Sequence, residues 1–138
     1  MQLEAKINLI LHATEDENKV LEELEKKFGI EQKDFQIEQI PGHFNNPILL
    51  VSSKLKRKYA QNFVSLFFSK MKKDEFQEIF NDVENFVTSS GLSLRISKQK
   101  LISGILTISK QDTIKINIST PVYVKNETKK IYQELMKI

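Results

Sequence analysis

Four cations packed between positions 54 and 58, Lys54, Lys56, Arg57 and Lys58, are the residues of this chain best placed to do chemistry. That chemistry is the holding of phosphate. They follow an apolar run at 48–51, and Ser52 or Ser53 reads as the cap of a helix reaching to about residue 72. The charges would then crowd a first helical turn, where the macrodipole disfavours cations. Unpaired backbone N–H groups beside four cations attract an anion. A local rule broken this openly marks a candidate site. A second group, Arg95 with Lys98, Gln99 and Lys100, reads as a tight connection between strands from which donors project. Lys70, Lys72 and Lys73 sit at a helix end that welcomes positive charge, so they read as solvated surface.

Other chemistry is poorly supplied. His12, His43 and a neighbouring lysine contain the groups for acid–base cleavage of a phosphodiester, although two histidines in 138 residues need no such explanation. No spacing of His, Asp and Glu suits a metal, and Gly42-His43 lacks the glycine pattern of a phosphate loop. We therefore expect no catalytic residue, no metal and no cofactor. If the anion is RNA, Phe44 in the polar turn with His43 and Asn46 either stacks on a base or folds back over the sheet edge. The remaining phenylalanines fall mostly on apolar stripes, which favours recognition of backbone and shape.

The overall charge of +3 conceals a polarity. Residues 1–40 carry a net of −5 and residues 41–138 a net of +8, an asymmetry that points to a polyanionic partner. With no cysteine, and no long apolar run, disulfides and a membrane span are not expected, and a cytoplasmic setting is. The length suits one domain with its own core.

Alternation over 5–12 reads as a strand, and Thr14 with Glu17 as the capping box of a helix that Gly29 ends. A strand at 34–40, with Phe35 and Ile37 inward, precedes the Gly42 to Pro47 turn, and 48–51 reads as a strand buried on both faces. After the basic helix, Asp74 and Gln77 read as the cap of another that runs to Gly91. Three strands follow, at 92–97, 101–109 and 113–119, and Asn126 caps a terminal helix bearing Ile131, Leu135 and Ile138. The order β-α-β-β-α-α-β-β-β-α predicts a two-layer α+β domain, its mixed or antiparallel sheet covered by helices on one face. The other face should be solvated, with Lys6, Asn8, His12, Ser93, Arg95, Lys115, Asn117 and Ser119 on it.

Three ordered segments carry a resemblance: Ala13 to Val20 around Thr14-Glu15-Asp16, Gly42-His43-Phe44-Asn45-Asn46-Pro47-Ile48, and Leu94-Arg95-Ile96-Ser97-Lys98-Gln99. They resemble an archaeal family of small RNA-binding proteins regarded as predicted exosome subunits, whose pattern is a TED segment, GHxGNPI and LRxDKQ. The resemblance implies a fold like that of ribosomal protein L5, RNA binding, and a link to RNA processing or degradation. It marks Gly42, His43, Asn46, Pro47, Arg95, Lys98 and Gln99. Asn45 replaces the usual Gly, a tolerable exchange in left-handed backbone, and Ser97 replaces the usual Asp. The expectation is a non-catalytic module gripping structured RNA through residues 43–58 together with Arg95, Lys98, Gln99 and Lys100. The competing readings are an adaptor docking on an RNA-processing complex through its C-terminal helix, and a ribonuclease.

Overall fold

Strict alternation shapes the first element of the computed structural model, which describes residues 2–12, 16–42 and 46–138. In β1 (Glu4–His12), Ala5, Ile7, Leu9 and Leu11 are buried, while Lys6, Asn8, Ile10 and His12 face solvent. Helix α1 (Glu17–Phe28) starts at Asp16, whose carboxylate accepts from the Asn18 N–H at 3.0 Å, and stops at Gly29 in left-handed backbone. Thr14, expected to cap it, lies outside the described residues. A short 3₁₀ turn leads into β2 (Gln36–Pro41), in which Phe35 just ahead is buried but Ile37 is half exposed, contrary to expectation.

β3 (Pro47–Lys56) runs five residues beyond the expected strand. It pairs with the whole of β1, from His12 opposite Ile48 to Glu4 opposite Lys56. Ser53 is therefore a strand residue, and its hydroxyl donates to the Asp34 carbonyl at 3.0 Å instead of capping a helix. Val51, Ser53 and Leu55 turn inward while Lys54 and Lys56 turn out, a period of two that the apolar run before them masks. Leu50 faces the open side, so 48–51 is not covered on both faces. Helix α2 (Arg57–Lys70) begins only at Arg57, which takes a positive φ of 55° where the chain turns out of the sheet.

Helix α3 (Lys73–Asn81) has no side-chain cap; Gln77 donates to Asn81, and Glu75 instead holds Thr107 and the Ile108 N–H. It ends well before Gly91, because Val83–Phe86 forms a 3₁₀ turn and β4 (Val87–Thr88) pairs with β5 (Gly91–Ser97). The strand expected at 101–109 does not form. Ser97 accepts from the Lys100 N–H at 3.1 Å and caps α4 (Lys98–Ile102). Gly104, at φ 86°, closes the helix as its N–H reaches the Leu101 carbonyl and that of Ile105 the Lys100 carbonyl. This paired bonding is the Schellman stop. Then β6 (Thr113–Ser119) pairs with both β1 and β5, and α5 (Thr128–Met136) follows a 3₁₀ turn in which Asn126 makes no cap.

The product is an α+β domain with an antiparallel open sheet ordered β2-β3-β1-β6-β5-β4. Its inward residues, with Ile114, Ile116 and Ile118 of β6, meet an aromatic layer in which Phe28, Phe63 and Phe67 lie with ring centroids 5.3–5.8 Å apart. Among the described residues no helix is long and apolar enough to cross a membrane.

Candidate nucleic-acid interface

Because every pairing is antiparallel, register alone decides which side chains of the open face stand beside each other. Lys6 of β1 lies directly opposite Lys54 of β3, and Lys115 of β6 directly opposite Arg95 of β5. Asn8 sits between Ser52 and Lys115 in the second of these rows. The two rows are roughly 7 Å apart along the strands. Like charges placed directly opposite each other destabilise a sheet. Lys54 has some relief from Glu4 at 3.8 Å, but both groups are exposed and such a pair contributes little. Among the described residues, Lys6, Arg95 and Lys115 have no carboxylate within ion-pair distance. Arg95 reaches only the Thr113 hydroxyl, at 3.5 Å.

A groove of about 740 Å³ runs over this face, lined by Asn8, Ile10, His12, Leu50, Arg95 and Lys115 among others. At the other end of the strands, Lys56 and Arg57 line a depression of about 480 Å³ with Glu4, Ser119 and Thr120. The 54–58 run is thus not one cluster at a helix start. Lys54 and Lys56 project from the sheet, Arg57 stands at the rim, and Lys58 is exposed on the first turn of α2. Only Arg57 and Lys58 oppose the helix dipole, so the argument from four misplaced charges falls, while the concentration of charge survives on a different element.

Lys98 is the clearest correction. Its side chain is 1% exposed, and the ammonium binds the Asp112 carboxylate at 2.9 Å and donates to the Ile10 carbonyl at 2.7 Å. It joins the end of β1 to the turn before β6 and cannot reach a ligand at the surface. Lys98, with Gln99, holds the Asp112 carboxyl below its ordinary range. Gln99 reaches Asp112 at 3.4 Å, and Lys100 is exposed on α4; neither lines the groove. Ser97 explains one departure from the motif: the position is a helix cap, where Ser and Asp serve alike. Gly42 is required by space, since a side chain there would run into the Asn46 carbonyl and Ile48. Asn46 is exposed; His43, Phe44 and Asn45 lie outside the described residues. Lys6 and Lys115 do not stand out in the sequence as site residues, although alternation places both on this face. The missing signal is register, which no single strand carries.

Residues 4–120 match the family model described as RNA binding. The chain belongs to this RNA-binding family. One relative, the RNA-binding protein PAB1135 of Pyrococcus abyssi, is 33% identical over 129 residues, spanning 86% of this chain and 81% of that protein. An uncharacterised protein of Methanocaldococcus jannaschii, MJ0213, is 28% identical over 137 residues, spanning 91% of this chain and 90% of that one. Among solved structures, protein AF2318 of Archaeoglobus fulgidus has a TM-score of 0.78 at 22% identity, covering 98% of this chain and 99% of that chain. Protein SSO0741 of Sulfolobus solfataricus gives 0.76 at 25% identity, with 97% and 98% covered. These likenesses show that the chain shares its fold with these archaeal proteins.

Proposed function

We propose that this chain binds structured RNA through phosphate contacts to the open face of its sheet and does not cleave it. The observation that carries this reading is the two pairs of directly opposed cations, Lys6 with Lys54 and Arg95 with Lys115, on a face that no helix among the described residues covers. Such an arrangement costs stability in the free protein. An RNA backbone turns the same repulsion into attraction, and the counterions it releases favour binding. Membership of an RNA-binding family and the name of the Pyrococcus relative support RNA as the polyanion. All the phenylalanines within the described residues lie in or against the core, which favours shape and backbone over base reading.

The test is binding of a structured RNA across a salt series. Replacing Lys6, Lys54, Arg95 and Lys115 together by Gln should weaken binding by about 100-fold near physiological salt and flatten the salt slope by about three to four. Unchanged affinity and slope would remove the open face from the proposal. Intact RNA after incubation with divalent metal is the expected result of the non-catalytic reading, and defined cleavage products would refute it.

An exosome-type degradation complex as partner and kinship of the fold with ribosomal protein L5 belong to the same proposal on the strength of the three motifs, and a cytoplasmic place belongs to it on the lack of cysteine. Purification from native cells with nuclease treatment tests the first: a complex that survives is held by protein contacts. The C-terminal helix is a poor adaptor surface, because Leu135 is buried and Ile131 partly so, which leaves Ile138 as the one exposed residue of the three.

A further inference from the structure

Tyr123 is 88% exposed, and Val124 beside it 51%. Both lie beyond the stretch matched by the family model. The backbone beneath them is firmly held. Tyr132 is buried, the Glu127 N–H donates to the Val124 carbonyl at 3.0 Å, and the Thr128 hydroxyl donates to the Lys125 carbonyl at 2.8 Å. The ring is therefore presented to water on a braced turn. Beside it lies a hollow of about 530 Å³ lined by hydroxyls, including Thr88, Ser89, Ser90 and Thr128, with Lys125. Ser119 and Thr120 line both this hollow and the depression that holds Lys56 and Arg57. A path thus leads from the cations of the sheet, over two hydroxyl-bearing residues, to an uncovered aromatic ring.

We propose that Tyr123 is a stacking platform for one unpaired base at the rim of the open face, where a single-stranded extension leaves the structured RNA. This rests on the RNA-binding reading. Cations that track a backbone and end at an aromatic face are the arrangement by which single strands are held, and stacking on one ring tolerates any base. Hydroxyls donate and accept, so those of the hollow suit base edges and the 2′-OH. One tyrosine and one valine make too small an apolar patch for a stable protein contact. Tyr59 is also well exposed, at 71%, but it lines a different hollow with Asp34 and Phe28, away from the cationic face, and provides the control.

The experiment uses the full chain and two RNA hairpins, one blunt and one bearing a short single-stranded extension, with each end extended in turn. The extension at one end should improve affinity about tenfold. Tyr123→Ala should abolish that gain and leave blunt binding unchanged, Tyr123→Phe should keep it, and Tyr59→Ala should alter neither. Blunt binding without any gain from an extension, or a gain that survives Tyr123→Ala, overturns the platform while sparing the phosphate reading. Failure of both hairpins to bind overturns the two together.

Discussion

The two faces of the sheet are made by the same strands, residue by alternate residue, yet they follow opposite rules. On the helix side Ala5, Ile7, Leu9, Ile114, Ile116 and Ile118 are sealed against aromatic rings, and each contact favours the folded state. On the open side Lys6 stands against Lys54 and Arg95 against Lys115, where adjacency opposes it. The covered face supplies the stability that the open face gives up. A like-charged pair is tolerable only on a sheet otherwise well anchored, and under the proposed function its value lies in meeting a polyanion.

This contrast is most sharply broken from the covered side. Phe63, almost wholly buried and in contact with Phe28 and Phe67, should cost about 3–5 kcal/mol as Phe63→Ala in denaturant unfolding, while the molecules that remain folded bind RNA as before. A change in affinity exceeding the folded fraction would show that the faces are not separable. The four-cation replacement is the converse case: a large loss of binding is expected with a thermal midpoint unchanged or raised, since repulsion is removed.

Lys98 lies between the two rules, a cation built into the covered side. Asp112→Ala should cost about 2 kcal/mol, less than a fully buried pair because the carboxylate side chain is 45% exposed. Acid should do the same more gradually. The Asp112 carboxyl is held below its ordinary 3.8, chiefly by the hydrogen bond from Lys98. The pair's contribution is therefore complete above that value and is lost as the pH falls through the lower, folded-state value. Comparing acid unfolding of the wild type with Asp112→Ala measures it: equal acid sensitivity would mean that the pair contributes nothing. The smallest effect is reserved for cations off the open face. Lys58→Gln and Lys100→Gln together should lower RNA affinity less than threefold at fixed salt, a rough bound for positions outside the track. A loss rivalling that of the four-cation variant would restore the helix start as the site.

Much of this is legible in the chain. Alternation in 5–12, 92–97 and 113–119 identifies both faces of the sheet, and puts Lys6, Asn8, Arg95 and Lys115 on the solvated one. The short helix α4 is bounded locally by Ser97 and Gly104, but its apolar residues read as a strand and the helix is not legible in them. At Ser52-Ser53 the cap chemistry is real and loses the competition, because β1 offers a continuous ladder out to Lys56. Local preference yields when a neighbouring strand satisfies every backbone group.

By itself, then, the sequence determined the periodicities: which residues of each strand share a side, where Gly29 stops its helix, and how much positive charge lies after residue 41. Tertiary structure alone decided that Lys6 meets Lys54, that Arg95 meets Lys115, and that Lys98, two positions after Ile96 and in sequence one more lysine of a basic run, is sealed beneath Ile10 and Asp112. The physical reason is range. Period and capping are settled within a few bonds of the backbone, whereas register and burial depend on partners that the chain brings together only when it folds.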